Sequence, residues 1–385
     1  MFRIRKVTFA AACLLLLTAA CSDRSGTTGG VETVLRDAVE QIRTTQDQSF
    51  SIVIPGLAAA AVIDGAGSVP VPVASGTANP PGDTPLTTAE RFHVGSITKT
   101  FTAALIMQLD EAGQLSLADP ISNWITFPNG QNITLAMLLG HTSGIPSFED
   151  LPGHTRDETP EQSIALAAEH PPLFPPGASW SYSNTNYVIL GVIAGKVTGS
   201  TWDDEIRQRF FEPLQLNDTY VWTGTEKPPT ASGSVLDCAR AGDPGCAIVP
   251  VTDGFNWTVA WASGSVVSTP SDVARWMKAL IAGDVLDAAH LALLTTATPQ
   301  SVAVLSAMPA YGPLRWTGDG LGLLRYEIDG QGTGWGHEGG IEGFVANVVH
   351  MNDSNQIVAM ASNLETVDAF EVIGRLVVAT GTLDR

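Results

Sequence analysis

The sequence predicts an α+β fold in which one sheet is assembled from both ends of the chain and a helical lobe is inserted between them. Three observations carry this. Apolar strand-like runs lie near the start (51–66 and 68–75) and near the end (343–351 and 356–362). The final pair brackets Asn352-Asp353-Ser354-Asn355, a hairpin signal. From Ile97 onward the apolar period becomes helical. Such a fold leaves a cleft where sheet and lobe meet, a common place for an active site.

Each element follows in order. Residues 31–46 carry Val31, Val34, Leu35, Ala38, Val39 and Ile42 at helical spacing. The first two strands turn at Asp64-Gly65. Arg91-Phe92-His93-Val94 is strand-like, and Ile97, Phe101, Ala104, Leu105 and Leu109 mark one face of a helix that stops near Gly113. The lobe, roughly 97–222, is expected to be mostly helical with proline-rich joints such as Pro171-Pro172 and Pro175-Pro176. Residues 223–258 lack periodicity and are rich in Gly, Pro and Asp, which predicts a long surface excursion. A helix over 367–379 closes the chain.

Residues 1–20 are expected to be a signal peptide rather than part of the fold. Arg3, Arg5 and Lys6 precede an apolar stretch too short to span a membrane, ending at Leu17-Thr18-Ala19-Ala20-Cys21. Cys21 after small residues resembles a bacterial lipobox, although Thr18 stands where Leu is usual. Lipidation of Cys21 would anchor an exported protein to the cell envelope; ordinary cleavage with secretion is the alternative. Residues 21–30, rich in Ser, Thr and Gly, read as a flexible tether to a folded domain over 31–385. Outside the cytoplasm the two remaining thiols, Cys238 and Cys246, are expected to pair.

The 385 residues carry a formal net charge of -19. Phosphates would be repelled, so nucleic acid is excluded as a partner, and contact with a membrane is expected only through the N-terminal lipid. No His/Cys cluster calls for a metal or cofactor, and a monomer is the default.

The chemistry concentrates in three short motifs. Gly95-Ser96-Ile97-Thr98-Lys99 lies where a strand meets a helix. A Ser there sits beside free N–H groups, and a residue three positions on can bring the Lys99 ammonium to Ser96 Oγ. Burial would let Lys99 shed its proton near neutrality and act as a base. A capping Ser with a solvated Lys is the competing explanation. In Tyr182-Ser183-Asn184, a Tyr set against a lysine could hold a lowered pKa and shuttle the proton, and Asn184 could bind a substrate amide. Alone, this motif is weak: a core Tyr beside a capping Asn would fit equally. In Gly334-Trp335-Gly336-His337-Glu338-Gly339-Gly340, glycines would let a substrate lie along a strand edge. The Gly340 N–H could then join that of Ser96 as an oxyanion donor.

Taken in order, S-x-x-K, Y-x-N and H-x-G resemble the penicillin-recognising serine hydrolases, in the branch holding class C β-lactamases, secreted D-alanyl-D-alanine carboxypeptidases, D-aminopeptidases and related esterases. The stretches 138–146 and 262–269 extend the likeness over nearly everything from Val31 onward. The resemblance implies a β-lactamase/transpeptidase-like α+β fold with an antiparallel sheet flanked by helices and an all-helical lobe. It implies Ser96 as nucleophile, Lys99 and Tyr182 moving protons, and His337 where many relatives have Lys. Asn184, Glu338, Gly339 and Gly340 would line the substrate, and no cofactor or metal would be required.

The expected substrate is a small peptide, amide or ester, first a D-alanyl-D-alanine-type cell-wall peptide, with an ester, an amine-bearing amide or a β-lactam as alternative. An inactive envelope-binding lipoprotein is the non-enzyme alternative. Two departures bear on the choice, one of them Gly340, which has no side chain where relatives carry a second hydroxyl. Glu338 stands where a hydroxyl is usual. If it faces the cleft it would repel a substrate carboxylate by about 4 kcal/mol at 4 Å and an effective dielectric of 20; alternation along the strand equally permits it to face away. Arg325 on the preceding strand is the available carboxylate anchor. An α/β-hydrolase is disfavoured because no G-x-S-x-G elbow occurs, and a metalloprotease because H-E-x-x-H is missing.

Overall fold

In the computed structural model, residues 27–45, 53–65, 67–224, 231–238, 246–251 and 256–383 are described. The leader and Cys21 lie outside them. Among the described residues, no helix is long and apolar enough to cross a membrane.

The first helix, α1 (Thr28–Thr44), begins inside the expected tether because Thr27 caps it, its side chain accepting the Gly30 N–H. Strands β1 (Gly56–Val62) and β2 (Val71–Gly76) follow. A short β3 (Phe92–His93) leads through a 3-10 turn (Gly95–Ile97) into α2 (Thr98–Glu111). The lobe continues with α3 (Leu135–Leu139), α4 (Pro160–Ala168), α5 (Asn184–Thr198) and α6 (Trp202–Ile206). Long irregular stretches separate them, so the lobe is less helical than the sequence predicts.

After β4 (Tyr220–Val221), the expected surface excursion contains a hairpin, β5 (Ser234–Asp237) with β6 (Ala247–Pro250). A disulfide joins Cys238 to Cys246 across it. The Ser234 N–H donates to the Gly343 carbonyl, and Ser234 is fully buried. Then come α7 (Trp261–Gly264), β7 (Val266–Ser268), α8 (Pro270–Ala282), α9 (Ala288–Leu294) and α10 (Pro299–Leu305). The chain ends with β8 (Leu314–Asp319), β9 (Leu324–Ile328), β10 (Gly332–Ile341), β11 (Phe344–Met351), β12 (Ile357–Ser362) and α11 (Ala369–Thr380).

The main sheet runs β2-β1-β12-β11-β10-β9-β8, antiparallel throughout. The two chain ends meet where β1 pairs with β12. Strand alternation splits the core in two. One face, with Leu57, Val345, Val349 and Met351, packs against α1 and α11. The other, with Ala58, Phe344, Ala346 and Val348, meets α8 and the helical lobe. The alanines of β1, all buried, let helices approach both faces closely.

Candidate active site

Helix α2 is buried on nearly every side, polar residues included, because it threads between the lobe and the sheet. Its threonines tie it to its neighbours. Thr98 Oγ1 accepts the Val266 N–H at 3.0 Å, and Thr102 Oγ1 donates to the Ala262 carbonyl at 2.8 Å. Lys99 is fully buried on the same helix. Its Nζ lies 2.8 Å from Ser96 Oγ and 2.7 Å from the Ser263 carbonyl. Burial pulls the Lys99 pKa down to about 7, against the upward pull of Glu149, Glu338 and Asp319. A neutral amine so placed donates to Ser263 and has a lone pair for the Ser96 hydroxyl proton. A solvated Lys behind a capping Ser is therefore excluded: Ser96 sits in the 3-10 turn before α2 and the helix has no side-chain cap.

The Ser96 turn leans on β10 backbone to backbone. A Cβ on Gly339 would come within 1.9 Å of the Val94 carbonyl oxygen, and one on Gly95, whose φ is +50°, within 2.9 Å of Gly340 N. Strand β9 pairs with β10 only as far as Gly336, so the edge from His337 to Ile341 has no β9 neighbour. Gly340 is exposed, with open space around its Cα.

Tyr182 sits above Lys99, whose Nζ is 4.9 Å from the ring centroid. Its hydroxyl is buried and has no hydrogen bond of good geometry. The expected lowering of its pKa is corrected here. Burial, reinforced by Glu338, raises it well above 10.0, and only the neighbouring Ser96 hydroxyl works in the other direction. Tyr182 is thus a phenol at neutral pH, able to donate a proton. His337 lies 6.4 Å from it, ring to ring. Its Nδ1 is 2.5 Å from the Glu338 carbonyl oxygen, and burial pushes its pKa down to about 3. The imidazole is therefore neutral, donating from Nδ1 and leaving Nε2 as acceptor.

The register corrects Glu338 as a substrate-lining side chain. Glu338 pairs with Asn347, and its neighbours on the same face pair with Val349 and Val345, which belong to the α1/α11 core. Its side chain is on the far side of the sheet from His337, close enough to Tyr326 and Tyr311 to raise their pKa values. Burial raises its own to about 7. Arg325 pairs with Trp335, on the face of the sheet that carries His337, and its Nε donates to Thr317 Oγ1 at 3.0 Å, which leaves further guanidinium N–H donors. Asn184 reaches the cleft, but its Nδ2 donates to the Glu149 carboxylate.

Three residues without an assigned role in the sequence belong to the site. Glu149 is an exposed carboxylate beside Asn184. His141 lies under the Tyr182 ring at 4.4 Å, and its Nδ1 accepts the Ser183 N–H at 3.1 Å. It falls in the matching stretch 138–146, the one sequence signal that could have found it. Asp319, at the end of β8, accepts the Trp180 indole N–H at 2.9 Å, and burial raises its pKa to about 8.

A nucleophile, a buried amine with a depressed pKa and a phenol between two lobes define a serine hydrolase site. A family model described as Beta-lactamase matches residues 35–380. The chain belongs to that family and is a serine hydrolase. It is 30% identical over 344 residues to Penicillin-binding protein 4 of Amycolatopsis lactamdurans, covering 84% of this chain and 86% of that one. A D-stereospecific amidohydrolase from a Streptomyces species superposes with a TM-score of 0.71 at 29% identity, over 89% of this chain and 98% of that chain. D-amino acid amidase from Ochrobactrum anthropi, in complex with D-phenylalanine, gives 0.78 at 25% identity, over 91% and 99%.

Proposed function

We propose that this protein hydrolyses the amide bond of a D-amino acid amide or short D-aminoacyl peptide with a free ammonium, through an acyl-enzyme on Ser96. The observation that carries this is the Glu149 carboxylate, exposed at the cleft beside Asn184. At 4 Å a substrate ammonium gains about 1 kcal/mol there in a water-like dielectric and about 4 at an effective dielectric of 20. A substrate carboxylate loses as much. The likeness to D-amino acid amidase agrees with this reading.

In the proposed reaction Lys99 Nζ takes the Ser96 proton as Oγ bonds to the amide carbon. The oxyanion is held by the Ser96 and Gly340 N–H groups. The Tyr182 hydroxyl protonates the leaving nitrogen as the C–N bond breaks, and the proton on Lys99 restores the phenol. Water then attacks the ester by the reverse route, releasing the acid and Ser96.

A D,D-carboxypeptidase is the second reading, favoured by one observation: Glu338 lies across the sheet and does not repel a C-terminal carboxylate. The test compares kcat/KM for D-phenylalanine amide, its N-acetyl form, an N-acylated D-alanyl-D-alanine peptide and p-nitrophenyl acetate. Preference for the free amine supports the amidase. Faster cleavage of the N-acylated peptide overturns it in favour of the carboxypeptidase, and cleavage of the acetate alone in favour of an esterase.

A further inference from the structure

A second cavity, of about 520 Å³, lies at the opposite end of the sheet. Ser96 abuts Gly339 and Gly340, which pair with Ala346 and Val345, whereas the cavity is lined by His350 on the same strand. Five residues of strand separate Val345 from His350, about 17 Å. The walls come from the β1–β2 turn, the last turns of α8 and the β11–β12 hairpin. Its size falls within the range that encloses small ligands, roughly 300–1,000 Å³.

The lining combines an apolar surface with two opposite charges. Val62, Ile281 and Ile357 supply the first. The charges are Lys278 and Asp64, and each is met by neutral groups. Lys278 Nζ donates to the Ser68 carbonyl at 2.9 Å, which leaves it two further N–H donors. Asp64 accepts from Asn355 Nδ2 at 3.1 and 3.3 Å, which leaves lone pairs for another donor. The Asn355 amide is oriented in turn by His350, whose Nε2 is 2.7 Å from Asn355 Oδ1. A β11 side chain thus holds Asn355 on the Asp64 carboxylate. Two unlike charges facing one cavity, neither neutralised by the other, are complementary to a molecule carrying both. An anion or a cation alone would meet one partner and one repulsive group.

We infer that this cavity is a second ligand site, taking a small zwitterion with an apolar side chain: an amino acid of about the size of leucine or phenylalanine. Its ammonium would bind Asp64, its carboxylate Lys278, and its side chain the Val62, Ile281 and Ile357 surface.

The experiment titrates the full chain, with Ser96 already labelled by a fluorophosphonate, with L- and D-phenylalanine, phenethylamine and 3-phenylpropionate, using calorimetry or ligand-observed NMR. Saturable binding of phenylalanine is expected, at least about tenfold tighter than either single-charge analogue. Lys278→Met and Asp64→Asn should each weaken it about tenfold or more, and Ile281→Trp should abolish it by filling the cavity. Fluorophosphonate labelling of each variant reports that it has folded, and Lys278→Met, a surface change, keeps the test valid if Ile281→Trp does not fold. No saturable binding by the labelled protein, equal binding of the single-charge analogues, or wild-type binding by Lys278→Met overturns the inference.

Discussion

Lys99 Nζ stands 2.8 Å from Ser96 Oγ and 2.7 Å from the Ser263 carbonyl on α7. Ser96 and Lys99, the proposed nucleophile and base, are therefore held by a helix that cannot shift without breaking a buried bond. Ser96→Ala should abolish fluorophosphonate labelling. Lys99→Met should lower kcat/KM by at least about a thousandfold while leaving the protein folded, since a straight apolar chain of similar length replaces the buried amine. Labelling of the Lys99→Met variant at the wild-type rate would remove Lys99 as the base.

The pH profile follows from the same residue. The Lys99 pKa is lowered from 10.5 to about 7 by burial, and only the neutral amine accepts a proton. The kcat/KM should therefore climb tenfold per unit below about pH 7 and level off above it. A rising limb placed near pH 10 would mean that Lys99 is charged throughout the working range.

Asp319 offers a stability readout. Its pKa is raised from 3.8 to about 8, chiefly by burial, so the folded state favours its protonated form. That contribution is complete below pH 3.8 and disappears as pH rises through about 8. Asp319→Asn keeps an acceptor for the Trp180 indole and does not ionise. Its Tm relative to wild type should be higher at pH 9 than at pH 4; a pH-independent difference would contradict the burial of a titrating carboxyl.

Gly339 and Gly340 are neighbours with opposite tolerance. A Cβ on Gly339 would lie 1.9 Å from the Val94 carbonyl oxygen, whereas at Gly340 nothing lies within 4 Å. Gly339→Ala should destabilise by about 3 kcal/mol and abolish labelling by displacing the Ser96 turn. Gly340→Ala should fold normally. Thermal melts and labelling of the two variants decide it.

Glu149 and Glu338 can be separated by substrate choice. Glu149→Gln should reduce the preference for D-phenylalanine amide over its N-acetyl form by about five- to tenfold, because the carboxylate at the cleft is lost. Glu338→Gln, on the α11 side of the sheet, should leave that ratio unchanged. The reverse pattern in kcat/KM would place the selecting charge on β10.

Much of the site was legible in linear order. Ser96, Lys99, Tyr182 and His337 are brought together as their motifs imply, and the terminal hairpins pair into the expected sheet. Glu149 was not legible, because a carboxylate in a single 3-10 turn gives no periodic or motif signal until Asn184 is seen to bind it. The edge strand β8 was also missed, since Thr317-Gly318 interrupts the apolar pattern.

The sequence by itself determined that Ser96 and Lys99 lie within reach of each other, for local reasons: S-x-x-K at the start of an apolar helix puts both groups on one face. Tertiary structure decided the rest. Which face of β10 carries Glu338 depends on which side of the β10–β11 hairpin α1 and α11 cover, and these helices come from the two ends of the chain. The protonation states of Lys99 and Tyr182 are likewise set by desolvation, which exists only once the lobe and the sheet have closed over them.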